Sequence, residues 1–385
     1  MLKAIEDSLP RLVDMRRELH SHPELSREEE WTSAFVAERL REIGMEVHTA
    51  IGGHGVVAAI HGGAPGPGIA LRADMDGLAI EERTGLFYAS RFPGKMHACG
   101  HDGHMTMLIG AAIHLAATRR FRGTAYLFFQ PAEERYGGAQ SMIDDGLLQR
   151  FPARCIFGLH NWPGLRAGAV VVHDGPVMAG TGEFEVIFGA QGAHAAMPHT
   201  TGDPILAGSL FVAGVQQIVA RAIDPLRSAV VTVGSFRGGQ AQNIISDHAV
   251  LSGTFRAFSS DMLSMIMERI EAIAASAATM AGAVRTVRFE NSLTPPVRNS
   301  AAEGRVMSQA AVDLFGASAL EALPPSMAGD DFGVFLDYMP GAYAWIGNGL
   351  PGERAALHLP DYDFNDGILA AGASLLARTA ERALG

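Results

Sequence analysis

The feature that most restricts the fold is a series of short apolar runs separated by helical text. "GIALRA" at 68–73, "GTAYLFFQ" at 123–130, "CIFGLH" at 155–160 and "AGAVVV" at 167–172 lack a regular polar face. A strand wetted on one side alternates apolar and polar residues, so runs like these suit a sheet covered on both faces. Residues 4–19, 27–43 (stopped by Gly44) and 104–118 have helical spacing. Strands alternating with helices predict an α/β layer, a mixed sheet flanked by helices.

The text changes near residue 180. "EFEVIF" at 183–188 alternates, which predicts one wet face. A helix over 204–222, strands in "SAVVTVGSF" and "HAVLSGTFRAF", a helix over 260–282 capped by Ser260, and a strand in "VRTVRF" follow. This β-α-β-β-α-β order predicts a compact two-layer, ferredoxin-like α+β unit. "NSLTPPVRN" at 291–299 reads as a linker, and 300–385 returns to helix and buried-strand text. The expected organisation is one domain, 1–180 with 295–385, interrupted by another, 181–294. A chain of 385 residues is long enough for two cores.

Net charge is −11, from 30 basic and 41 acidic residues, with no basic run. That argues against nucleic acid as a partner and for a small molecule met in a local pocket. No apolar run is read as reaching the roughly 18 residues that cross a bilayer. The first 19 residues, charged throughout, lack the apolar core of a secretory leader. A cytoplasmic protein without a membrane partner is expected. The two cysteines, Cys99 and Cys155, make no disulfide framework. Cys155 reads as a small buried hydrophobe.

Cys99 lies in "MHACGHDGHMTMLIGAA", with three His within nine positions. Two residues apart on extended backbone, Cys99 and His101 would point the same way and could share a metal. The pair alone reads more readily as a buried Cys beside a satisfied His. His104, opening the helix, reads as structural. "FQPAEERYGG" then places Glu133 and Glu134 just after a buried strand, where open α/β sheets put their sites. One carboxylate could hold a metal while its neighbour faces water. His160 ends "CIFGLH", and His358 sits in "ALHLPDYDF". Cys, His and Glu together suit Zn, Mn, Co or Ni better than Ca or Mg. Five donors exceed a closed structural zinc site, so a pair of divalent metal ions serving hydrolysis is expected, with Glu133 as general base.

"LRADMDGLAI" offers Asp74 and Asp76, and Asp76 is chosen as the carboxylate supporting a metal-bound His. "AGDDFGVF" offers Asp330 and Asp331 for similar support, or as helix caps. In the inserted segment His194, Asn243 and Arg256 could serve acyl transfer, the first two at an oxyanion and Arg256 at a carboxylate. By themselves these three read as surface polar residues.

"RRELHSHPELSREE", "LRADMDGL", "MHACGHDGHMTMLIGAA", "FQPAEE", "GLHNWPG", "AHAAMPH", "QNIISDHAVLSGTFR", "AGDDFGVF" and "DFNDG" occur in that order from residue 16 to 367. The set resembles the metallo-amidohydrolases related to hippurate hydrolase, N-acyl-amino-acid amidohydrolases and auxin-conjugate hydrolases, of the aminoacylase and carboxypeptidase superfamily. The resemblance implies a dinuclear-metal catalytic domain interrupted by a satellite domain that often dimerises, giving a homodimer or homotetramer. Carried over by motif, the ligands are Cys99, His101, Glu134, His160 and His358, with Cys99 bridging, and the base is Glu133. His194 reaches an active site on closure, commonly the partner's. Arg256 binds the substrate's α-carboxylate, and Asn243 lies in the accompanying motif. Ala193 stands where relatives often have Gly, and Asp330 where they often have Glu. The implied reaction is cleavage of an N-acyl or N-aroyl amino acid. A dipeptidase, a carboxypeptidase, N-acetyl-diaminopimelate deacylation, a non-enzymatic binder and a closed structural metal site are the rival readings.

Overall fold

A computed structural model describes residues 1–135, 137–289, 293–352 and 355–385; residues 291 and 292 of the expected linker lie outside these. The chain forms two compact units. One comprises Met1–Val177, Arg298–Pro325 and Asp330–Gly385, the other Met178–Val297 and Ser326–Gly329.

The first unit is built on a seven-stranded sheet. Its order is Glu46–Ile51, Gly55–His61, Arg122–Gln130, Ala64–Asp74, Ile156–Pro163, Gly341–Gly349, Val170–Val172. The four strands from Arg122–Gln130 to Gly341–Gly349 run parallel to one another, and the remaining three pair antiparallel. The apolar runs at 68–73, 123–130 and 155–160 all lie in the parallel core. The run at 167–172 forms a strand only from Val170, because Gly168 turns the backbone at a φ of 75°. Core residues such as Leu71, Leu127, Phe129 and Phe157 are fully buried, each contributing about 1.5–3 kcal/mol.

The helix His101–Thr118 is buried along most of its length and packs against Lys3–Ser21 and Leu369–Leu384. It starts three residues earlier than expected, which puts His101 in its first turn. Gly100 makes the start possible. Its φ is 89°, and a Cβ there would lie 2.3 Å from Asn161 Nδ2 and 2.5 Å from the Tyr362 hydroxyl.

The second unit has a four-stranded antiparallel sheet, ordered Ala229–Gly238, His248–Ala257, Gly180–Gly189, Val284–Phe289. The helices Pro204–Gln217 and Ser260–Ala281 share its core, where Phe211, Val215, Ile266 and Ile270 cluster with Phe184, Phe188, Leu251 and Phe255. Two expectations need correction. The cap of the long helix is Ser259, whose hydroxyl accepts from the Met262 amide at 3.4 Å. An apolar run of bilayer-spanning length also exists: Pro204–Ala222 has 19 residues and a mean hydropathy of 1.5, with Arg221 its one charge. Among its buried residues, Ala207, Phe211, Val215 and Ile218 pack in this unit's core, so the helix serves as a core element here.

Candidate metal centre and active site

The side chains singled out in the first unit gather at the carboxyl ends of its parallel strands, the end at which open α/β sheets place sites. Asp74 ends one strand opposite Gln130, which ends the next. His160 lies on a third, opposite Trp345 of a fourth. Glu133 and Glu134 follow in a turn, and Cys99 and His101 flank Gly100 at the helix start. The extended backbone expected for both pairs is absent. The turn and the left-handed Gly100 aim these side chains instead.

Potential ligand atoms lie within 4.8 Å of one another in four overlapping groups here: Cys99, His101 and His160; Asp74, His101 and His104; Cys99, Glu134 and His358; and His101, Glu133 and Glu134. Cys99 Sγ is 3.5 Å from His160 Nε2, and His358 Nε2 is 3.4 Å from Glu134 Oε1. Hydrogen bonds select the free nitrogens. His101 Nδ1 meets the Asp76 carbonyl at 2.8 Å, and His160 Nδ1 the Asn161 carbonyl at 2.6 Å. Each Nδ1–H donates to a carbonyl, which leaves Nε2 as the lone-pair atom, a pattern common in metal-ligating His. His104 is different: Nδ1 bonds Asp74 at 2.6 Å, and Nε2 accepts from the Asn161 amide at 3.0 Å. Both its nitrogens are engaged, as a structural role requires.

Two atoms test whether metal fits. His101 Nε2 and Glu134 Oε1 are buried and have no hydrogen-bond partner among the described residues. Such atoms are costly unless something else pairs with them. Burial opposes a charge on His101, yet Asp74, Asp76 and Glu134 outweigh it and raise its pKa to about 10. The field that holds a proton there would hold a cation at the same nitrogen. Burial, Glu134 and Glu133 push the Cys99 thiol well above its ordinary value, and burial and His104 push His160 well below. A neutral imidazole is the ligand form, whereas the thiol needs a neighbouring cation to ionise. The donor set fits divalent cations of the zinc type.

Asp76 acts more broadly than expected. Besides its carbonyl bond to His101, its carboxylate accepts from the Glu133 amide at 3.1 Å and the Glu134 amide at 3.0 Å. Asp330 and Asp331 form a further group with Glu133, again within 4.8 Å. Burial, then Asp330, then Glu134 raise the Glu133 pKa well above the ordinary carboxylate range. Asp331 accepts from Gln130 Nε2 at 2.7 Å and the Ala139 amide at 3.1 Å, and Asp330 also caps Phe332 at 2.7 Å. The charge between them is balanced by Arg72, which the sequence reading passed over. This fully buried guanidinium reaches Asp74 at 2.7 Å and both Asp330 and Asp331 at 3.1 Å. Gln130, Asn161 and Tyr343 were passed over too. The available signal was a lone cation inside the apolar run "GIALRA", which must be paired if the strand is buried.

In the second unit His194 lies on a two-stranded ribbon, opposite Ile244 and exposed. Asn243 adjoins it through the Ala195 amide, which bonds the Asn243 carbonyl at 3.0 Å. The Ala196 amide donates to His194 Nδ1 at 3.1 Å, so a neutral ring carries its proton on Nε2, free to donate. Arg256 lies opposite Thr181, its Nη1 donating to Thr254 Oγ1 at 3.1 Å.

Residues 70–382 match the family described as Peptidase family M20/M25/M40. The chain belongs to that family. It is 38% identical over 380 residues to hippurate hydrolase of Campylobacter jejuni, covering 97% of this chain and 98% of that protein. It is 38% identical to an N-acetyl-L-cysteine deacetylase of Bacillus subtilis, covering 97% and 88%. Among solved structures, the Bacillus subtilis YXEP protein, a dinuclear metal binding peptidase from the M20 family, superposes with a TM-score of 0.87 at 32% identity, covering 98% and 99%. The resemblance read from the motifs and the α/β fold are borne out. The M20 family match and the named relatives support hydrolase chemistry.

Proposed function

We propose that this chain is a metal-dependent amidohydrolase that cleaves the amide bond of N-acyl or N-aroyl amino acids, releasing a carboxylic acid and a free amino acid. The observation that carries the reading is the pair of buried ligand atoms without a hydrogen bond among the described residues, His101 Nε2 and Glu134 Oε1, beside a second carboxylate, Glu133. Relatives named for hippurate and N-acetyl-cysteine hydrolysis support the substrate class. Cys99, His101, Glu134, His160 and His358 would hold two divalent ions, Zn, Mn, Co or Ni, Cys99 being a donor common to two of the groups. When bound, such ions polarise the acyl carbonyl and lower the pKa of water.

Glu133 takes the proton of the attacking water and returns it to the leaving amine. Its placement against Asp330 and Asp331 raises the proton affinity of the carboxylate, and it takes the proton in its ionised form. Asp76 and Asp331 hold the ligands and the base in place. His194 donates from Nε2 to the oxyanion, supported by Asn243. Arg256 grips the substrate carboxylate. The first unit is the catalytic domain and the second the satellite. The satellite would carry a homodimer or homotetramer, consistent with the exposed Ile205, Leu206, Val219 and Phe236 and the sheet-edge strand Ala229–Gly238.

The test is amino-acid release from N-benzoyl-glycine, N-acetyl-cysteine and other N-acetyl amino acids, with Mn²⁺ or Zn²⁺ and with chelator. Chelator-sensitive release is expected. No release from any of them by metal-loaded protein would contradict the reading and favour a dipeptidase.

A further inference from the structure

We propose that Glu29 is a positioning residue: its buried carboxylate holds the Ala132 amide and so fixes the turn from which Glu133 and Glu134 project. This rests on the base and ligand roles just given to those two residues.

The turn is held by three consecutive amides. Ala132 N–H donates to Glu29 Oε1 at 2.7 Å, Glu133 N–H to Asp76 Oδ1 at 3.1 Å, and Glu134 N–H to Asp76 Oδ2 at 3.0 Å. On the other side, the Ala132 carbonyl accepts from the amides of Gly137 at 3.3 Å and Gly138 at 3.2 Å. Gly138 has no room for a side chain, since a Cβ would lie 1.5 Å from the Pro131 carbonyl oxygen. Ala132 itself has a φ of 52°. For alanine that left-handed conformation costs roughly 1–2 kcal/mol and persists only where neighbours enforce it. The Glu29 bond is made to the N–H of that strained residue. Without it, Ala132 keeps only its carbonyl bonds, and a change in its φ swings the residue that follows, Glu133.

Glu29 is itself firmly placed. It is fully buried, and its carbonyl accepts from Ser33 at 3.0 Å as the next helix begins. The preceding segment is tied to the same site. Glu24 accepts from the Gly77 amide at 2.7 Å through its carbonyl, and Ser26 Oγ donates to Asp76 Oδ2 at 2.5 Å. The segment from Glu24 to Glu29 therefore reaches both carboxylates that hold the turn. Glu29 Oε2 meets no hydrogen-bond donor among the described residues. A buried carboxylate with one oxygen left without a donor is a poor stabiliser of a fold; its other oxygen takes the Ala132 amide of the turn, and the nearby amides of Arg27 and Glu29 itself also favour its charge. Burial and Asp76 push its pKa up to about 7, so glutamine, which keeps a carbonyl oxygen, is a close replacement.

The test compares the wild type, Glu29→Ala and Glu29→Gln as metal-loaded proteins, reading amide hydrogen exchange over 131–138, metal content, and kcat and KM on N-acyl amino acids. In Glu29→Ala, exchange should quicken in 131–138 alone. Its kcat should fall about 100-fold with KM within about threefold, the scale of a small misplacement of a reacting group. Glu29→Gln should restore both protection and kcat. Unchanged exchange in 131–138, or exchange quickened across the whole chain, would overturn the proposal. So would a Gln variant with a protected turn but a kcat as low as that of Ala. A wild type inert on every N-acyl amino acid would sink the amidohydrolase reading, and the exchange data would still decide whether Glu29 holds the turn.

Discussion

Glu133 sits between two groups of charge, with His101 and Glu134 on one side and Asp330 and Asp331 on the other. It differs from Glu134 in its partners. Glu134 approaches His101 at 3.8 Å and His358 at 3.4 Å, whereas Glu133 is the carboxylate grouped with the two aspartates. Replacing the two should therefore separate binding from chemistry. Glu133→Gln is expected to lower kcat by about 1000-fold, in the range of general base catalysis, with metal content unchanged. Glu134→Gln is expected to lose metal. Elemental analysis beside the kinetics reads both, and metal loss in Glu133→Gln would contradict the roles. The sequence exposed the donors because Cys, His and Glu at strand ends and helix starts carry chemistry in their side chains. It hid Glu29 and Arg72, because one looks like any acid in the "SREEE" stretch and the other lies inside an apolar strand. Their roles come from what they meet across 103 and 259 positions of sequence, respectively Ala132 and Asp331.

Among the elements, the helices Lys3–Ser21 and His101–Thr118 are joined by charge as well as by packing. His20 Nδ1 bonds Asp102 at 2.7 Å, and its Nε2 reaches Glu82 at 3.3 Å. Arg16 Nε lies 3.2 Å from the same Asp102, in the first turn that follows Gly100. Burial opposes a charge on His20, but Asp102 and Glu82 outweigh it, and its pKa rises to about 9 from an ordinary 6.5. Because the folded value is the higher, the charged ring stabilises the fold fully below about pH 6.5, and the contribution disappears as pH rises through about 9. His20→Gln should cost up to about 3 kcal/mol at pH 6 and far less at pH 10. Denaturant melts across that range check it, and a cost that grows with pH would contradict the assignment. Periodicity made these helices legible, since apolar spacing reports packing faces. It gave the start of the second helix three residues late, because Gly100, His101 and Asp102 form a polar entry that hydrophobic spacing cannot register.

For the molecule as a whole, the switch from continuous apolar strands to alternating ones near residue 180 reported a real change in environment. The strands 64–74, 122–130, 156–163 and 341–349 are the parallel core of one sheet, while 180–189 belongs to a sheet backed by two helices. Alternation reads directly as burial on one face or two, which is why this level of organisation was visible. Helix composition was less informative. Pro204–Ala222 is apolar enough to span a bilayer, yet its buried residues serve a two-layer core, and hydropathy alone does not distinguish the two. The measurement to make first is amino-acid release from N-benzoyl-glycine and N-acetyl amino acids while Mn²⁺ or Zn²⁺ is titrated into metal-free protein. Release that rises from nothing and levels off at two equivalents per chain is the predicted result. Release that is complete at one equivalent, or absent with two bound, would contradict a two-ion amidohydrolase.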